Sequence, residues 1–210
     1  VLLRGIPEQG FSWSPNEDFL IYYPREEGVK DEGPLKRIVN PADRIPNTRG
    51  RSFLARYDIA SGTSERLTYG NHSTYMQDIS PDGKYLAFTL QEYGGFGVWH
   101  KDAELYMIRL SDGKTYPLTE ANSAEGESYH SWSHNNRWLV FSSRRLDGRY
   151  TRVFIAYMDE AGKPYKPFLL PQQHPIDNIL RIKSYNLPKF IRGEVKLPTD
   201  LVNTLFFPSK

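Results

Sequence analysis

The sequence contains no cysteine. That excludes disulfide staples, thiol catalysis and thiolate metal sites, while leaving the compartment open. No apolar run approaches the roughly 20 residues a helix needs to cross a bilayer, so no membrane span is expected. The formal net charge is only +2, and the basic residues are dispersed, which argues against a nucleic-acid or membrane-surface partner. Catalytic signatures are missing too: there is no Gly-x-Ser-x-Gly elbow, Walker loop, His-Glu-x-x-His pair or calcium loop. Gly94, Gly95 and Gly97 lack the spacing of a dinucleotide fingerprint and read as loop glycines. A serine-peptidase active site is not expected in this chain.

What is present is aromatic and repetitive. The 14 Tyr, 11 Phe and 4 Trp fall mostly at strand positions of an internal repeat. Its clearest copy runs from Asp78 to Phe88, Asp-Ile-Ser-Pro-Asp-Gly-Lys-Tyr-Leu-Ala-Phe. Pro81 presets the first corner of a tight turn, Asp82 can bond its own backbone, and Gly83 accepts the positive φ that closes the reversal. After the turn, Tyr85 and Ala87 share one face and Leu86 and Phe88 the other, which predicts a hairpin with both faces covered.

Trp13–Tyr22 and Trp132–Phe141 repeat this grammar: an apolar residue, a serine (Ser14, Ser80, Ser133), a short turn, then aromatic-Leu-aliphatic-aromatic. Asn135-Asn136 replaces Asp-Gly because Asn tolerates the left-handed region, where Glu17 is strained. A second half-motif follows each hairpin, around Gly62, Gly113 and Gly162, with Leu67-Thr68, Leu118-Thr119 and Phe168–Leu170 after it. Each unit therefore reads as four antiparallel strands, the size of one propeller blade.

The hairpin at Ser80–Phe88, with Glu104–Lys114 and Pro117–Thr119 behind it, resembles the WD40-like PD40 repeat of TolB-type β-propellers. The resemblance is best over Tyr75–Thr119 and extends in weaker copies from Phe11 to Pro171. It implies an all-β fold, a β-propeller of four-stranded antiparallel blades, with about three blades here as part of a six-bladed propeller. The blades are expected at about 6–70, 71–120 and 121–173, with 174–210 completing a blade or leading out of the propeller. The repeat also occurs in periplasmic TolB proteins, gating propellers of serine peptidases and a metal-dependent lyase family, and fold alone does not fix function.

The leading expectation is a non-catalytic scaffold of the periplasm or cell envelope that binds a protein or peptide partner, with no cofactor assigned. The connections into the innermost strands reach the channel mouth, so the candidate binding residues are His72, Tyr75, Gln77, Glu127, Tyr129 and His130. The alternatives are a metal-dependent lyase or hydrolase using His72 and His130 with Gln77 or Glu127, or a gating propeller whose catalytic domain lies elsewhere.

Pro24–Gly50, rich in proline and mixed charge, is expected as an exposed excursion with Arg44 and Arg49 as its contact residues. Arg144 and Arg145 read as a solvated face, and Ile176–Ile182 as a short helix or irregular strand followed by extended chain. Because the first blade begins within ten residues, the true N-terminus and any signal sequence are expected upstream. Three blades leave two apolar faces, to be covered by further blades, a second copy or the C-terminal segment.

Overall fold

A computed structural model of the chain describes residues 10–24, 51–70, 72–92, 94, 97–180 and 182–194. The leading segment and the Pro24–Gly50 insertion with Arg44 and Arg49 fall almost wholly outside these residues.

Three four-stranded antiparallel sheets follow one another along the sequence. Blade one contains β1 (Phe11–Trp13), β2 (Phe19–Tyr22), β3 (Ala55–Asp58) and β4 (Ser64–Arg66). Blade two contains β5 (Ser73–Ile79), β6 (Tyr85–Gln91), β7 (Glu104–Arg109) and β8 (Thr115–Pro117). Blade three contains β9 (Glu127–Trp132), β10 (Trp138–Ser143), β11 (Arg152–Tyr157) and β12 (Phe168–Leu169). Within each blade every strand pairs with the next in sequence, and among the described residues no strand pairs with a strand of another sheet. This is the arrangement of propeller blades.

The repeated serine explains why each hairpin forms. Its Oγ accepts the backbone N–H five residues on, Phe19 at 3.1 Å, Tyr85 at 3.0 Å and Trp138 at 2.9 Å. It also donates to the turn residue Asp18, Asp82 or Asn135 at 2.6–2.7 Å. The buried hydroxyl thus satisfies a backbone donor that the reversal would otherwise strand. Three residues after the serine the backbone turns left-handed in every copy, at Glu17 (φ 57°), Gly83 (φ 71°) and Asn136 (φ 59°).

Blades pack through the faces that the alternation predicts. Leu86 and Phe88 meet Phe19, Ile21 and Leu54 of blade one, while Ala87, Leu105 and Met107 meet Leu139, Phe141 and Phe154 of blade three. Thr68 lies beyond the end of strand β4 and turns to the connection: its Oγ1 accepts the Leu54 N–H at 2.8 Å and bonds Thr74 Oγ1 at 3.0 Å. Gly97 is not a plain loop glycine, since it opens a buried 3-10 turn (Gly97–Trp99) against Tyr75.

After β12 the chain makes a one-turn helix, α1 (Asp177–Leu180), and then runs extended. Among the described residues it adds no strand to a sheet. It is tied to blade three instead. Tyr185 N–H donates to Thr151 O at 3.1 Å, Tyr185 O accepts Ser142 Oγ at 2.8 Å, and Thr151 Oγ1 donates to Asn186 Oδ1 at 2.6 Å.

Candidate functional site

The first strands of neighbouring blades converge, and two of them carry a bulge. In β5 the pairing with β6 slips between Tyr75 and Asp78, so Met76 and Gln77 face one partner residue. In β9 the same slip places Tyr129 and His130 opposite a single residue of β10. Met76 (φ 55°) and Tyr129 (φ 52°) hold the left-handed conformation that lets the strand bend, and each lies four residues before its repeat serine. Gly10 stands at the same phase in blade one with φ 80°.

These equivalent segments, 10–12, 76–78 and 129–131, line one pocket of about 340 Å3, closed further by Tyr23 and by Leu187, Pro188 and Lys189 of the C-terminal segment. Gln77 stitches blade two to blade one, its Nε2 donating to Gly10 O at 2.5 Å and to Ile21 O at 3.1 Å, while its buried Oε1 has no hydrogen-bond partner. Asp78 stitches blade two to blade three. Its Oδ2 accepts the Trp132 N–H at 3.1 Å, and its backbone carbonyl accepts the indole N–H at 3.3 Å. Burial raises the Asp78 carboxyl to about 6, with the Trp132 N–H and the positive charge of Lys189 opposing the rise.

His130 is buried, and its ring makes no well-formed hydrogen bond, the Ala87 backbone alone acting on it. Burial lowers its pKa to about 4, the nearby Ala87 backbone offsetting only part of that, so the ring is neutral at pH 7. Tyr129 is half-buried, and burial raises its phenol. The pocket therefore combines aromatic walls (Phe11, Tyr23, Tyr129), one carboxylate, and buried polar atoms with unused hydrogen-bonding capacity.

Of the six sequence candidates, Gln77, Tyr129 and His130 line this pocket. Tyr75 lies behind it, 4% exposed, donating to Gln91 Oε1 at 2.7 Å and packed edge-on against Tyr23; burial raises its phenol well above the ordinary value. Glu127 is fully buried and taken up by internal partners: Ser123 Oγ at 2.6 Å, Ser143 Oγ at 2.7 Å, the Ser123 N–H at 2.9 Å and Arg145 at 3.2 Å. Burial raises its carboxyl despite these bonds. His72 is exposed on the connection into β5 and is not part of the pocket lining.

The arginine pair is a correction to the solvated face read from the sequence. Arg144 is 3% exposed, and Arg145 stacks over Phe141 and Phe154 while pairing with Glu127, because the loop after β10 folds back over the blade. Among the described residues no three His, Asp or Glu side chains gather as a metal site. No helix among them is long and apolar enough to cross a membrane. Sequence reasoning missed Gly10, Met76, Asp78, Ser131 and the 187–189 strap. The phase of the repeat, counted back from each serine, was the signal that could have found the strand residues.

No protein-family profile matches the chain, and no curated protein matches it. Solved structures do. A protein assigned as TolB from Agrobacterium tumefaciens aligns at 21% identity and TM-score 0.52, over 80% of this chain and 50% of its own. An oligogalacturonate lyase solved with manganese aligns at 16% identity and TM-score 0.52, over 77% of this chain and 41% of its own. The propeller domain of the trilobed protease of Pyrococcus furiosus aligns at 16% identity and TM-score 0.48, over 79% of this chain and 43% of its own. The chain thus has a β-propeller fold like that of the first two structures, and it spans half or less of the length of all three.

Proposed function

We propose that the chain belongs to a non-catalytic propeller scaffold that binds an extended protein or peptide segment in the pocket where its inner strands converge. One observation carries this reading. Three successive repeats present equivalent residues to a single cavity, and the buried Gln77 Oε1 there lacks the partner that buried polar atoms ordinarily find, while the buried His130 ring is met only by the Ala87 backbone. An extended backbone brings alternating donors and acceptors, the groups this wall can use.

The TolB-like repeat supports a place in the periplasm or cell envelope, which fractionation of cells producing the full-length protein would read directly. Further blades or a second copy would cover the remaining sheet faces, and solution mass distinguishes a lone arc from a paired one. The binding reading is tested with a panel of fluorescent extended peptides, titrated against the wild-type chain and Gln77→Leu. A binder should weaken about tenfold or more in Gln77→Leu, as expected when an uncompensated buried polar group replaces a bonded one, and should perturb amide signals at 76–78 and 129–131. A panel without any binder, or one indifferent to the substitution, sinks the reading.

A further inference from the structure

The C-terminal segment does more than pass by. After Asn186 its bonds to the blade stop: among the described residues, no hydrogen bond holds Leu187–Ile191 to the sheets before Arg192 reaches His134. Leu187 sits in the left-handed region (φ 57°), a strained conformation for a residue with a side chain. Leu187 is 59% exposed and Ile191 64% exposed, so their apolar surface is poorly used. Yet Leu187, Pro188 and Lys189 form one wall of the pocket. A strap anchored at Tyr185–Asn186 and again at Arg192, and strained and unbonded between them, is inexpensive to displace locally.

Charge shows what belongs in its place. Among the described residues that line the pocket, Asp78 is the one carboxylate and Lys189 the one cation, since His130 is neutral. Withdrawing the strap would leave Asp78 facing the cavity without its countercharge, beside Phe11, Tyr23 and Tyr129, which accept an aliphatic stem and a cation.

We propose that Leu187–Lys189 is an internal occupant of the peptide site, exchanged for an incoming extended segment that carries a lysine or arginine to Asp78. This rests on the reading of the pocket as a peptide site, and adds both its specificity and its regulation. The strap lowers apparent affinity by the fraction of time it occupies the site, so any change that loosens it raises affinity without touching the ligand contacts.

The test uses the full chain and two labelled peptides, Tyr-Asn-Leu-Pro-Lys-Phe-Ile-Arg, matching residues 185–192, and the same peptide with Glu in place of Lys, beside the panel above. Lys189→Glu should bind the lysine peptide at least fivefold more tightly than wild type, and Lys189→Arg should match wild type. Adding Asp78→Asn to Lys189→Glu should remove the preference for the lysine peptide over the glutamate one. Amide exchange at 187–191 should quicken in wild type when peptide binds. Thermal melting confirms that each variant is folded. A panel binder that depends on Gln77 but is unaffected by Lys189→Glu overturns the exchange and leaves the pocket reading standing. A panel with no binder removes the pocket reading, and the exchange with it.

Discussion

Asp78 and His130 line the same pocket with opposite demands on protons: burial lifts the carboxyl to about 6 and drops the imidazole to about 4. The folded chain keeps a proton on Asp78 that the unfolded chain releases from 3.8 upward, so this group lowers stability as pH rises from about 4 to 6. His130 works the other way. The unfolded chain takes up a proton near 6.5 that the folded one refuses until about 4, so stability falls as pH drops through that window. Each effect is about 3 kcal/mol, and they oppose.

Between pH 6.5 and 4 the pair should therefore be nearly silent in the wild type. Asp78→Asn leaves His130 unopposed, and its stability relative to wild type should fall by up to about 3 kcal/mol on acidification. His130→Gln should show the reverse slope. Urea unfolding at a series of pH values reads both, and parallel profiles for all three proteins would refute the assignment.

The left-handed bulge at Met76 predicts an unusual order of substitutions. Met76→Val places a β-branched residue where φ is 55° and should cost about 1–2 kcal/mol, lowering Tm by roughly 2–8 °C for a domain of this size. Met76→Gly should be tolerated, because glycine carries no Cβ penalty there. A valine variant as stable as wild type would mean the bulge is not held as described.

At the first hairpin, Glu17→Gly should raise stability by about 0.5–1 kcal/mol, since Gly83 already serves the equivalent turn. Ser80→Ala should do the opposite. It strips the Tyr85 N–H of its 3.0 Å acceptor in a buried setting and should cost about 1–3 kcal/mol. Chemical denaturation of the two variants gives the comparison.

Gly126 has no room for a side chain: an added Cβ would lie 2.1 Å from the His100 carbonyl oxygen. Both are backbone constraints, so Gly126→Ala should cost more than about 2 kcal/mol through forced displacement of the loop before β9. Gly113→Ala is the contrast. Nothing lies within 4 Å of an added Cβ there, and only its φ of 69° is unfavourable, so the loss should be about 1 kcal/mol. Equal melting temperatures for the two would contradict this packing.

The hairpins, their turn residues and the two-faced packing of β6 were legible because each depends on neighbours in sequence: a serine, a turn and a period of two. The pocket was less so. Met76-Gln77 and Tyr129-His130 look like ordinary strand residues, and neither bulge carries the glycine that would announce it, although Gly10 stands at the same phase of blade one. Glu127 was singled out by its place at the channel mouth, but its side chain turns to Ser143 and Arg145, residues brought back by the far end of the next strand. Arg145 looked solvated for the same reason, since nothing local shows that Phe141 and Phe154 lie beneath it. The strap at 187–189 meets Asp78 across more than a hundred residues of chain, a proximity no periodicity encodes.

The recurrence of the bulge gives the pocket a grain. Each blade supplies one triplet to the wall, Gly-Phe-Ser, Met-Gln-Asp or Tyr-His-Ser, hung at a fixed distance ahead of its turn serine. Triplets exchanged between blades would reorder which chemistry greets which part of a ligand while every hairpin kept its own staple. On the proposed peptide-site reading, selectivity would shift one blade at a time, with the bonds that Gln77 and Asp78 make to the neighbouring blades remade at each exchange.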